Sequence, residues 1–124
     1  AAVDRMVEAG AARERLAAVV GPCIGPASYE VGREFEDRFL SADPAAGRYF
    51  APGVSRDKRL FDLPGFVLDR LSAAGVRRCV WTGHDTCAQA DDFFSNRRAF
   101  KRGEPDYGRL LSAIMIEEPR GATR

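Results

Sequence analysis

The segment Gly21-Pro22-Cys23-Ile24-Gly25-Pro26 constrains this chain more than any other stretch. Its density of glycine and proline excludes both a helix interior and a sheet ladder. Ahead of it, Leu16-Ala17-Ala18-Val19-Val20 is a short continuous apolar run and predicts a buried strand. Behind it, Val31, Phe35 and Phe39 recur at helical spacing and predict an amphipathic helix ending near Ser41-Ala42-Asp43-Pro44. A strand, a Gly-rich loop and a helix in that order commonly present backbone N–H groups to an anion or a polar ligand. The spacing is neither a phosphate-binding P-loop nor a dinucleotide fingerprint, and a purely structural turn would use the same residues.

The rest of the chain reads as alternating elements. Val3, Met6, Val7 and Gly10 have the spacing of an opening amphipathic helix. Residues 44–60 have little periodicity and predict a surface excursion. Asp62 is placed to cap a helix whose inner face is Leu63, Val67 and Leu71 with Phe66 beside them, between Pro64 and Gly75. Val76–Trp81 alternates as a half-buried strand, a polar stretch and a basic loop follow, and Leu110–Ile116 reads as a closing strand. Strands separated by helices predict a mixed α/β domain. No N-cap residue precedes the first helix, and the given sequence opens on Ala1-Ala2-Val3 without a Met or a charged-then-apolar stretch, so no targeting signal is expected from it. The expectation is a chain cut at its N-terminus and complete at its C-terminus, with residues 117–124 a frayed tail.

Composition narrows the function classes. Across 124 residues, Lys plus Arg is 19 and Asp plus Glu 18, a net charge of +1 that argues against a general nucleic-acid binder. No apolar run approaches the ~18 residues of a membrane span. An odd number of cysteines without framework spacing points to a reducing, cytoplasmic setting.

Three groups of residues could carry chemistry. Cys23 lies in the Gly-rich loop, where a thiol can be activated, and His84 is the one histidine able to serve it as a base; a buried, inert cysteine is the alternative. Cys79, His84 and Cys87 offer ligand types for a metal, although C-x4-H-x2-C is not a familiar zinc pattern and alternation turns Cys79 away from the loop. Phe93-Phe94-Ser95-Asn96-Arg97-Arg98 sets paired arginines beside aromatics, which suits a phosphate held by bidentate bonds next to a stacked ring; a solvated basic loop is the plainer reading, preferred for Lys101 and Arg102.

Val20-Gly21-Pro22-Cys23-Ile24-Gly25-Pro26-Ala27-Ser28-Tyr29-Glu30-Val31-Gly32 resembles a segment of the YfiH-like, laccase-domain polyphenol oxidoreductase family, whose members are described as purine nucleoside phosphorylases. Phe61-Asp62-Leu63, Asp91–Arg98 and Gly103–Arg109 resemble it too, in the family's order. The resemblance covers the C-terminal half of a typical member, so residues 1–124 are expected to be the C-terminal portion of one domain. It implies an α/β/β/α layered fold, of which this chain is an N-terminally truncated part. It also implies phosphorolysis of adenosine, inosine, guanosine and methylthioadenosine, with adenosine deamination as a second activity. The family's metal, zinc or in some descriptions copper, is held by two histidines and a cysteine of the upstream half, so no ligand is expected from this chain and its catalytic residues are left unassigned. Cys87 departs from a tyrosine in the family pattern, while Asp85-Thr86 match it. The expected contributions to the site are Gly21, Pro22, Cys23, Ile24 and Tyr29 as wall, and Phe94, Ser95, Arg97 and Arg98 as contacts for nucleoside and phosphate. The alternatives are a non-catalytic fragment that completes a partner half, a copper-dependent polyphenol oxidase, and a thiol hydrolase using Cys23 and His84.

Overall fold

In the computed structural model, which describes residues 1–121, two small sheets share the chain. The first pairs β1 (Ala17–Val20) with β5 (Arg78–Trp81) in parallel, in the register Ala17↔Arg78 to Val20↔Trp81. Parallel neighbours need a crossover. Here it runs through the whole second sheet and α3 (Leu63–Ala73), which packs on both strands. The sequence places α3 well: Asp62 accepts from the Gly65 amide at 3.0 Å as N-cap, Pro64 occupies the first turn, and Gly75 leaves the helix at φ +92°. Arg13 then donates to the Ala74 carbonyl at 2.7 Å and fastens the entry to β1 onto that helix end.

The second sheet, ordered β2-β4-β3, comprises β2 (Glu30–Gly32), β3 (Phe50–Pro52) and β4 (Lys58–Phe61), all antiparallel. α2 (Arg33–Ala42) packs on it. Its Phe35 and Phe39, one turn apart, reach Phe61 at ring-centroid distances of 5.2 and 5.0 Å, and Phe50 stacks on Phe61 at 5.0 Å. Phe61 is 1% exposed and centres the core with Val31, Ala46 and Tyr49. A half-buried ion pair from Arg59 to Glu36, 2.8 Å, ties α2 to β4.

Several expectations need correction. Val31 belongs to β2, and the helix starts at Arg33. Residues 44–60 are a surface excursion only in part, with 54–57 exposed. Pro44–Tyr49 forms a 3₁₀ turn that buries Ala46 and Tyr49, and β3 and β4 follow. Strands of three and four residues are too short to display an alternation. The basic stretch after Ser95 is a helix, α4 (Asn96–Lys101), started by the Ser95 side chain accepting from the Arg98 amide at 3.2 Å. The opening helix, α1, spans Ala2–Glu8, with Gly10 beyond its end at φ +104°.

Leu110–Ile116 is not a strand: it runs without a ladder partner among the described residues and with its large side chains exposed. Backbone pairing makes a strand, and the apolar pattern alone cannot. Of the expected tail, Glu117–Gly121 has no regular element, and residues 122–124 lie outside the described residues.

Candidate functional site

The parallel pair positions the site. Loops leaving the C-terminal ends of parallel strands are the usual place for a ligand in an open α/β sheet, and two such loops meet here. Thr82 donates to the Val20 carbonyl at 3.0 Å, Cys23 to His84 at 3.3 Å, and Thr86 to Cys23 at 3.0 Å. A parallel bridge between Cys23 and Asp85 thus continues the β1–β5 ladder into both loops.

Asp85 fastens the junction. Its carboxylate accepts the Ser28 hydroxyl at 2.6 Å and the amides of Cys87 and Ala88 at 2.9 and 3.2 Å. Burial alone would raise this carboxyl. The bonds from Ser28 and from the Gly25, Ala88 and Cys87 amides outweigh it and hold the group below the ordinary carboxylate range. Gly25 is required by this close approach, since a Cβ there would collide with the Asp85 carboxylate.

Beside the junction lies a hollow of about 260 Å³ lined by Ile24, Tyr29, Thr86, Ser95, Asn96 and Arg97. Tyr29 spans core and hollow, its ring 5.6 Å from that of Phe61. The Arg97 guanidinium sits 5.3 Å from the centre of the Tyr29 ring, and Nη1 donates to the Glu30 carbonyl at 2.6 Å. Its other N–H groups meet no acceptor among the described residues. The fixed geometry leaves a directed, partly unspent donor set over an aromatic face.

Of the nine residues expected to line a site, the structure gathers Ile24, Tyr29, Ser95 and Arg97. Arg98 does not join its neighbour: Nη1 donates to the Thr86 and Cys87 carbonyls at 2.7 and 3.1 Å, and Nη2 to Phe93. Successive helical residues point about 100° apart, so an arginine pair on α4 divides between two directions. Phe94 is also outside the hollow, its ring lying against Gly108. Gly21 and Pro22 line a different depression with Val19, Thr82 and Leu111–Ala113. Thr86 and Asn96 also line the hollow; the sequence names both, in the Asp85-Thr86 match and in the Phe93–Arg98 motif, but assigns neither to the wall.

The cysteines separate likewise. Burial, then the negative charge of Asp85, pushes the Cys23 thiol up, opposed by the neighbouring Trp81 indole. The contact between Cys23 and His84 is through backbone, while the His84 ring lies 5.5 Å from that of Phe93. A nucleophile–base pair is therefore not formed. Cys79 faces α3, with Sγ 3.9 Å from the Leu68 carbonyl, and no three His, Cys, Asp or Glu side chains converge among the described residues.

A profile of the multi-copper polyphenol oxidoreductase laccase family matches residues 1–117. The chain belongs to this family. Purine nucleoside phosphorylase RP494 of Rickettsia prowazekii is 36% identical over 115 residues, covering 93% of this chain and 47% of that relative. Purine nucleoside phosphorylase YfiH of Escherichia coli is 32% identical over 103 residues, covering 83% and 40%. Among solved structures, the Bacillus licheniformis hypothetical protein YfiH superposes with a TM-score of 0.69 at 24% identity, over 86% of this chain and 40% of the other. The Neisseria meningitidis protein NMB0706 does so with 0.56 at 34% identity, over 62% and 31%. The fold is thus the mixed-sheet α/β fold of YfiH proteins, and the chain spans about half the length of the curated relatives it matches. The family designation implies a metal. The described side chains do not fit one, because the candidates Cys79, His84 and Cys87 are held apart, so no step below is routed through a metal.

Proposed function

We propose that this chain forms one wall of a purine nucleoside phosphorylase, with residues 1–124 as the C-terminal portion of the domain. The observation that carries the reading is the meeting of Ile24, Tyr29 and Arg97 in one hollow beyond β1 and β5. It is supported by relatives whose names state that activity. Phosphorolysis needs a phosphate oxygen to bond to the ribose anomeric carbon as the bond to the purine nitrogen breaks. The electron pair leaves with the purine, which takes up a proton. Positive charge grows on the ribose meanwhile, and a fixed cation beside the phosphate keeps the nucleophile in line. Arg97 is the residue assigned to that anion, Tyr29 and Ile24 to the flat base, and Ser95 and Asn96 to polar edges of the ligand. Adenosine, inosine, guanosine and methylthioadenosine are the proposed substrates, with adenosine deamination as a side activity. Zinc or copper would be held by the other half of the domain. Three unpaired cysteines fit a reducing compartment, and we place the protein in the cytoplasm.

The test is Arg97→Ala in the full-length protein carrying this sequence. The expected result is a KM for phosphate raised at least about tenfold, with the KM for nucleoside changed less than about twofold. An unchanged phosphate dependence removes the assignment.

A second reading, a non-catalytic unit that completes a partner half, is favoured by one observation. Val19 and Val80, adjacent in the β1–β5 register, are 48% and 59% exposed on the sheet face opposite α3. Both readings need a covering half. Activity of the reunited halves, lost with Arg97→Ala, separates the enzyme from the scaffold.

A further inference from the structure

A second hollow shares no lining residue with the proposed nucleoside wall. It lies between α2, the 3₁₀ turn and α3 and encloses about 510 Å³, within the range of small-molecule sites. Its floor is aromatic. Phe66 stands edge-on to Phe39 at 5.2 Å and to Tyr49 at 5.4 Å, so the rings are fixed by the core and the hollow needs no rearrangement to open. Its depth comes from Ala42, Ala46 and Ala73, where longer side chains would fill it.

Charge at the rim is unbalanced. The two carboxylates are both engaged: Asp43 accepts the Ala45 amide at 2.9 Å, and Asp69 accepts the Tyr49 hydroxyl at 2.6 Å and faces Arg48 at 3.5 Å. Arg48 is further occupied, its Nη2 donating to the Tyr49 oxygen at 2.6 Å and its guanidinium lying 4.4 Å from the ring centre. Burial, then the bond to Asp69, pushes the Tyr49 hydroxyl up, so this network keeps its proton at neutral pH. Arg38 and Arg70 stand at the same rim, from α2 and α3, with no carboxylate in ion-pair reach among the described residues. Two unspent guanidinium groups above an aromatic floor complement a ligand with an anionic head and a flat apolar body.

We propose that this hollow is a second binding site, taking small aromatic anions, aryl carboxylates or aryl phosphates. The anion is held between Arg38 and Arg70, and the ring rests on Phe39 and Phe66.

The test titrates the 124-residue chain with 2-naphthoate and with 1-naphthyl phosphate, using 2-naphthol and inorganic phosphate as controls, read by ligand-detected NMR. Both aromatic anions are expected to bind at least about tenfold more tightly than either control, and the tighter of the two identifies the preferred head group. Arg38→Gln and Arg70→Gln, both at exposed positions, are each expected to weaken binding about fivefold. Arg97→Ala is expected to leave it unchanged, which separates this site from the nucleoside wall. Equal binding of 2-naphthol, full competition by inorganic phosphate, or retained affinity in both arginine variants overturns the proposal. Loss of binding with Arg97→Ala overturns it as well.

Discussion

Asp85 carries more of the site's geometry than any other side chain, and it does so as a charged acceptor. Three of its bonds come from backbone amides and one from Ser28. Bonds to a charged group contribute about 1.5–3 kcal/mol each, and less here because Asp85 is only partly buried and water screens it. Because folding depresses this carboxyl, its contribution is fully present above its unfolded value near pH 4, and is lost as pH falls through the lower folded value. Asp85→Asn is therefore expected to lower stability by about 2 kcal/mol at pH 7 and to flatten the acid side of the stability curve. Urea unfolding at several pH values between 3 and 7 checks it, and an equally steep acid limb in the variant counts against the role. At the same scale Arg98 is a clamp. Arg98→Lys is expected to loosen the 84–94 loop, because a single ammonium cannot reach both the Thr86 and Cys87 carbonyls held by Nη1 and the Phe93 carbonyl held by Nη2. Faster amide exchange at Cys87 and Phe93 is the readout.

At the scale of elements, what the sequence discloses depends on how long each element is. α3 is legible because its cap, its proline, its apolar face and its terminal glycine agree over 11 residues. β1 is legible as an apolar run ahead of glycine, although it is half-exposed and not the buried strand expected, and β5 is legible from its alternation between Gly75 and Gly83. β2, β3 and β4 are not, for their pairing joins residues 30, 50 and 60, and no local period records that. α4 is hidden by its six residues and by the charge of Arg97, Arg98 and Lys101. Half of the site's logic is hidden with it, since only the helix shows that Arg97 and Arg98 face different partners. Ser95 is the element's start, so Ser95→Ala is expected to cost about 1 kcal/mol and to release Arg97 from the Glu30 carbonyl. Thermal unfolding measures the first effect. A crystal structure of the variant with Arg97 still on Glu30 would show that the core, not the cap, holds the helix.

For the molecule as a whole, the β1–β5 sheet is the feature out of balance. One face is covered by α3. The other presents Ala17, Val19, Arg78 and Val80 to solvent; among the described residues both edges are open, and Leu110–Ile116 carries a strand's apolar composition with nothing to pair against. Leu111 and Ile116 are 94% and 97% exposed, a state that fully formed domains rarely leave in one contiguous stretch. Open edges and an apolar face attract other strands, including those of another copy. The curated relatives are about twice as long as the stretch this chain matches. The 124-residue chain on its own is therefore expected to elute from size exclusion well above its 13.6 kDa at micromolar concentration. Val19→Lys with Val80→Lys places two like charges side by side on the exposed face. The double variant is expected to shift toward monomer with an unchanged far-ultraviolet circular dichroism spectrum, since neither side chain touches the core centred on Phe61. A monodisperse monomer of the parent chain would mean that the sheet face tolerates water, and would remove the need for a covering half.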